Sequence, residues 1–297
     1  STSHKGLSRI LSEGDRVLID DGKVELEVEE ITGSDVRCMV RRGGEVSGRK
    51  GVNLPGVKLD MEYLSDNDRS DLLFGIANEA DYVAASFVRR GDDVKVLRNF
   101  LDENGGKDIL IIAKIENREG IENIDEILAL ADGIMVARGD LGVEVEFEKI
   151  PGIQKELIYK CCKKGKTAIT ATQMLESMTE SPTPTRAEIT DVANAVFDGT
   201  SAVMLSGETA VGKYPVETVG AMAKILLQAE KDALTFGVYD NFHAEPDTDV
   251  SDAVGRAACE AAEGLKAKAV IAITIGGSTA QRMAKYKPKT PIIAATP

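Results

Sequence analysis

Five short aliphatic runs recur through the middle of this 297-residue chain. They are "DYVAASFV" (81–88), "DILIIAKIE" (108–116), "DGIMVARGD" (132–140), "TAITATQM" (167–174) and "SAVMLSGE" (201–208). Their starts lie 24 to 35 residues apart, the length of one strand-plus-helix unit. Between them, apolar residues return at helical spacing. Ile121, Ile124, Ile127 and Leu128 form one stripe; Val216, Val219, Met222 and Leu226 form another. Thr185-Arg186-Ala187-Glu188 has the pattern of a capping box, and Pro215 stands where a first helical turn accepts proline. Repeated strand–helix units predict an α/β fold, a parallel sheet covered by helices.

The flanks differ. Residues 1–56 alternate apolar and polar residues, with Asp21-Gly22 as a hairpin signal and Gly-rich turns beyond it. They predict a small β-barrel or cap. After a polar segment, "YDNFHAEPDTDVSD" (239–252), the pattern predicts a helix (253–264), a strand (269–274), a helix (279–286) and a strand (291–296). The core must be aliphatic, because 43 % of residues are apolar but only 4 % aromatic, with no Trp. No apolar run approaches the ~20 residues that span a bilayer. A net charge of −13 argues against a nucleic-acid surface. Cys38, Cys161, Cys162 and Cys259 lack metal-ligand spacing, and His4 and His243 are the only histidines. Zinc is therefore not expected, and a reducing cytoplasm is. The chain begins on Ser1 and ends on Pro297 after an apolar run, so both ends read as cut.

Polar residues gather at the C-terminal ends of the five runs: Ser86, Lys114 with Glu116, Arg138-Gly139-Asp140, Thr172-Gln173, and Ser206-Gly207-Glu208. In parallel α/β folds that end carries the chemistry. Lys114 and Glu116 share one face of their strand. Alone they also read as an ion pair that ends a strand. With Asp140 they form an oxygen set suited to Mg²⁺, which takes one or two carboxylates plus substrate oxygens and water. Neighbouring carboxylates keep a lysine charged, which favours a fixed cation over a Schiff-base nucleophile. Gly139 allows close backbone approach at a helix start, where N–H groups bind anions. Arg41-Arg42 and Arg89-Arg90 read as solvated surface, and Cys161-Cys162 as packing. The Ile275–Thr279 loop reads equally as a phosphate cradle or a turn.

"GVNLPG" (51–56), "AASFVR" (84–89), "IIAKIEN" (111–117), "DGIMVARGDLGVE" (132–144), "TATQMLESM" (170–178), "PTPTRAEITDVANAVFDGT" (182–200) and "MLSGETAVGKYP" (204–215), taken in order, strongly resemble the pyruvate kinase family. The resemblance implies a (β/α)8 TIM barrel with an inserted β-barrel cap domain and a C-terminal α/β regulatory domain. Residues 1–56 then correspond to part of the cap, 57–225 to the last five barrel units, and 226–297 to part of the regulatory domain. It implies transfer of the phosphoryl group of phosphoenolpyruvate to ADP in the cytoplasm, by a homotetramer when full length, without nucleic acid or membrane partners. Lys114 would stabilise the migrating phosphoryl group, and Glu116 and Asp140 would bind Mg²⁺, with Mn²⁺ as a substitute. Gly139, Asp140 and Thr172 would hold the substrate carboxylate, Ser206 would lie on the proton path, and Arg49 and Lys50 would face the nucleotide. The family's K⁺ ligands and first-strand arginine have no counterpart in this chain. Gly276 stands where the family's effector loop carries a hydroxyl residue. Two other readings compete: a Mg²⁺-dependent lyase on a related pyruvate-enolate barrel, and a non-catalytic fragment.

Overall fold

The computed structural model describes residues 6–20, 22–48, 50–57, 62–238 and 249–297. Asp21 of the hairpin, Arg49, both histidines and most of the polar segment 239–252 lie outside the described residues. The strands are β1 (Arg16–Ile19), β2 (Val24–Thr32), β3 (Asp35–Arg42), β4 (Val52–Asn53), β5 (Tyr82–Ala85), β6 (Leu110–Ile115), β7 (Gly133–Ala137), β8 (Thr167–Ala171), β9 (Ala202–Met204), β10 (Val270–Ile273) and β11 (Ile292–Ala295). The helices are α1 (Leu7–Ile10), α2 (Asp66–Ala77), α3 (Gly91–Glu103), α4 (Arg118–Glu122), α5 (Ile124–Leu130), α6 (Arg138–Glu144), α7 (Ile150–Lys163), α8 (Arg186–Phe197), α9 (Gly207–Ala210), α10 (Pro215–Thr235), α11 (Val250–Gly264) and α12 (Ser278–Ala284). None is long and apolar enough to cross a membrane.

The chain divides into two compact units, Ser1–Ala131 with Ala137–Ile153, and Asp132–Val136 with Gln154–Pro297. In the first unit, β1 to β4 form an antiparallel sheet in the order β3-β2-β1-β4. The alternation in "VELEVEEIT" places Val24 and Val28 inward, and Leu11, Val17, Val28 and Leu54 form the core of this part. The sheet opens on α1, a short helix that the alternating pattern of residues 1–56 did not indicate. Strands β5 and β6 pair in parallel, Ala85 opposite Ala113. On α3, Val94, Leu97 and Leu101 share one face and are buried, each leucine worth about 2 kcal/mol of removed apolar surface. On α5, Ile124, Ile127 and Leu128 face inward, as their spacing predicts. Arg89 departs from the expected solvated arginine pair. It is ion-paired with the buried Asp93 at 3.1 Å, and its amide donates to the same carboxylate at 2.9 Å.

In the second unit, β8 and β9 are parallel, and so are β10 and β11, with Val270 opposite Ile292. All five residues of β7 are buried, as in a strand covered on both faces. Met174, Leu175, Met178, Val192, Ala195 and Met222 form one core cluster. Pro215 opens α10 as expected, but the predicted stripe on that helix is partly wrong. Val216 and Val219 are exposed, and Thr218, Met222, Ala229 and Ala233 are the buried face. Thr218 can sit inside because its hydroxyl donates to the Tyr214 carbonyl at 2.7 Å. Cys161 and Cys162 are buried on α7, and the four cysteines are free.

The capping box of α8 is formed. Thr185 accepts from the Glu188 amide, and Glu188 accepts from the Thr185 amide at 2.7 Å. The same carboxylate accepts from the Ser177 amide at 2.7 Å and the Ser177 hydroxyl at 2.5 Å. Burial pushes the Glu188 carboxyl up, but these hydrogen bonds prevail and hold it below its ordinary range. A depressed carboxylate pKa stabilises the fold above the unfolded pKa and ceases to do so as pH falls through the folded one. Glu188→Ala is therefore expected to cost about 1–2 kcal/mol at pH 7. The difference from wild type should shrink progressively once pH falls below about 4, as read by urea unfolding at each pH.

Candidate active site

Strand β6 is aliphatic or small except at Lys114, and it runs directly into Glu116. Ile111, Ile112, Ala113 and Ile115 are buried, Lys114 is half-buried and Glu116 is 1 % exposed. The Lys114 ammonium lies 2.6 Å from Glu116 Oε1 and donates to Ser86 Oγ at 2.9 Å. The Phe87 amide donates to Glu116 Oε2 at 2.5 Å. Burial pushes the Glu116 carboxyl up, the Lys114 ammonium and the Phe87 amide pull it down, and the charge on Asp140 pushes it up again; the net shift is upward. A buried carboxylate carries a cation on one oxygen and a backbone donor on the other, with a second carboxylate in electrostatic range.

Local structure fixes these groups. Strand β5 ends at Ala85, three residues before the end of the aliphatic run 81–88, and Ser86-Phe87 turns away. Phe87 has φ 54°, a left-handed backbone that few non-glycine residues adopt. Asn117, directly after Glu116, caps α4 by accepting from the Gly120 amide at 2.7 Å. A Cβ at Gly120 would lie 2.6 Å from the Val88 carbonyl. Glycine is therefore needed for the loop after β5 to lie against α4. Arg138, Gly139 and Asp140 end the third run and occupy the first turn of α6, the helix start expected there. The helix begins as soon as β7 ends.

Two flanking residues were not singled out by sequence. Tyr63 donates to the Ser86 carbonyl at 3.0 Å. Glu144, at the end of α6, is pushed up by burial and pulled back by Arg118 and by a hydrogen bond to Asn53. Both line a cavity of about 620 Å³ with Asn53, Ser86, Phe87 and Asn117. Nothing in the composition or period marks Tyr63. Lys50, expected to face a nucleotide, is ion-paired with Asp20 at 2.9 Å; Arg49 lies outside the described residues.

In the second unit, Thr172 and Gln173 follow β8 with φ 67° and 53°. Thr172 donates to the Ala171 carbonyl at 2.6 Å. Ser206 follows β9, and its amide donates to Glu208 Oε2 at 2.8 Å. Glu208 is fully buried, and its other oxygen accepts from the Leu175 amide at 3.2 Å. The "SGE" at the end of the fifth run marked Glu208, yet not its use as a brace for two loops.

The family model for the pyruvate kinase barrel domain matches residues 1–219, and that for the pyruvate kinase alpha/beta domain matches residues 252–297. The chain is 50 % identical over 301 aligned positions to a pyruvate kinase of Clostridium acetobutylicum, covering all of this chain and 63 % of that one. It is 49 % identical to a pyruvate kinase of Geobacillus stearothermophilus, covering 51 % of it. The crystal structure of a pyruvate kinase from Cryptosporidium parvum superposes with a TM-score of 0.91 at 43 % identity, over 99 % of this chain and 61 % of that one. The chain thus spans about half to two thirds of the length of the curated relatives it matches. With models of both domains matched in order and half of all residues shared with these relatives, the chain belongs to the pyruvate kinase family.

Proposed function

We propose that the whole protein to which this sequence belongs transfers the phosphoryl group of phosphoenolpyruvate to ADP, giving pyruvate and ATP. The observation that carries this is the Lys114 ammonium, held between Glu116 and Ser86 at a strand end in a chain of this family. In the reaction, the bond from phosphorus to the enol oxygen breaks as a bond to the terminal ADP oxygen forms. The enolate then takes a proton at carbon. Lys114 meets the charge on the transferring group, for which a positioned cation is the main means of catalysis. Gly139 and Asp140 offer first-turn amides to the substrate carboxylate. We assign Thr172 to the same carboxylate, Ser206 to proton delivery, and Arg49 and Lys50 to the nucleotide. Lys50 would exchange Asp20 for phosphate oxygens as the nucleotide enters.

Glu116 and Asp140 fit a hard divalent cation. They are hard oxygen donors, and an ionised carboxylate retains lone pairs beyond those used by Lys114 and Phe87. Among the described residues no group of three or more His, Cys, Asp or Glu gathers to hold a metal; two carboxylates are what Mg²⁺ asks of a protein when substrate and water complete its shell. When bound, Mg²⁺ or Mn²⁺ would supply a Lewis acid for the enolate oxygen. A K⁺ requirement, a homotetramer, and division into a cap (1–56), barrel units (57–225) and a C-terminal domain (226–297) are proposed for the full-length protein from the family resemblance. So is a cytoplasmic setting without nucleic-acid or membrane partners, which suits four free cysteines.

Two measurements test this reading. With the full-length protein, pyruvate formation followed by coupled lactate production should require ADP. Turnover that ignores ADP would overturn the kinase reading and point to a lyase. Lys114→Met should lower phosphoryl transfer by at least about a hundredfold, the scale of a lost transition-state donor. Metal-dependent exchange of the methyl protons of pyruvate should persist in the same variant. Loss of both, together with Mg²⁺ binding, would make Lys114 a structural residue.

A further inference from the structure

Tyr63 lies in "MEYLSDND", a stretch no motif marks. Its neighbours hold it in place: Leu64 is buried, and Ser65 caps α2 in a capping box with Asp68. The tyrosine is half-buried and its hydroxyl donates to the Ser86 carbonyl at 3.0 Å. That carbonyl and the Phe87 amide belong to one planar peptide unit, and in a trans peptide they point in opposite directions. The carbonyl is held by Tyr63 and the amide by Glu116 at 2.5 Å. Rotation of the unit is therefore blocked from both sides. The same serine places its Oγ against the Lys114 ammonium at 2.9 Å. Phe87 is 52 % exposed, so little packing offsets its left-handed φ of 54°. The hydrogen bonds on this peptide are what keep it there.

We propose that Tyr63 is a positioning residue of the active site, locking the Ser86–Phe87 peptide that aims Lys114 through the serine hydroxyl and Glu116 through the phenylalanine amide. The inference rests on the roles proposed above for Lys114 and Glu116. Burial, with Asp93, Glu116 and Asp68 nearby, raises the Tyr63 pKa, so the hydroxyl stays protonated and able to donate.

The test is Tyr63→Phe in the full-length protein, which removes one oxygen and keeps the ring. Tyr82→Phe, at an exposed tyrosine of β5, is the control. Mn²⁺ is the probe, bound to the substrate-free protein and read by electron paramagnetic resonance. Loss of one hydrogen bond of ordinary strength predicts a fall in kcat of about three- to tenfold and a comparable rise in the Mn²⁺ dissociation constant. KM for ADP should stay unchanged, as should every parameter of the control. A lower melting temperature with kcat and Mn²⁺ affinity unchanged would reduce Tyr63 to packing and overturn the proposal. Should Tyr63→Phe fail to fold, Ser86→Ala supplies the second variant. It deletes the Lys114 contact but leaves the Tyr63–carbonyl bond, and unchanged kcat there would equally overturn the proposal. If the wild-type protein shows no ADP-dependent turnover, the proposed function fails, while the Mn²⁺ comparison still reports on how Tyr63 orients Glu116.

Discussion

The Glu116 carboxylate is the constraint around which the first unit's site is arranged. At 1 % exposure it has lost its water, and an isolated ionised carboxylate is costly to hold in such a place. The Lys114 ammonium and the Phe87 amide offset that cost, one on each oxygen. Each partner is fixed in turn: Lys114 by the serine hydroxyl, Phe87 by a backbone turn whose carbonyl is gripped by Tyr63. A rigid cation beside a carboxylate suits the phosphoryl transfer proposed above, because there the protein contributes position and charge rather than bonds.

The second unit repeats the device with other residues. Glu208 is as deeply buried as Glu116, and it too accepts a backbone amide from the loop after the preceding strand. In both cases that loop holds left-handed non-glycine residues, Phe87 in one and Thr172-Gln173 in the other. Such backbone is uphill by about 1–3 kcal/mol per residue and persists where the surroundings over-determine it. At Phe87 the amide bonded to the buried Glu116 supplies that constraint directly. Strand-end loops in these units are thus braced by buried carboxylates as well as by apolar anchors such as Val88, Met174 and Leu175.

Much of the fold was legible because it is written in periods. Aliphatic runs one unit apart gave β5 to β9, the Thr185–Glu188 pattern gave the start of α8, and the last strand–helix–strand segment falls where its spacing predicts. The errors are local. On α10 the period was right but the buried face was displaced from Val216 and Val219, because Thr218 satisfies its own hydroxyl and can pack inward. Arg89 reads as surface in a charged dipeptide, yet Asp93 one turn later draws it inward. The helix start expected at Arg138-Gly139-Asp140 is present, directly where the apolar run stops at Ala137.

The sequence by itself determined the alternation of strands and helices, the aliphatic core, the family, and the residue types that collect at strand ends. These follow from the order of residues along one chain, where period and motif are visible. Only the tertiary structure decided that Tyr63 reaches Ser86 across 23 residues, that Phe87 rather than another donor serves Glu116, and that Lys50 is engaged by Asp20. Hydrogen bonds of this kind depend on direction and on ångström-scale distance between segments remote in sequence. No local pattern encodes them, because the geometry that selects each partner exists only after the strands have paired and their end loops have been set.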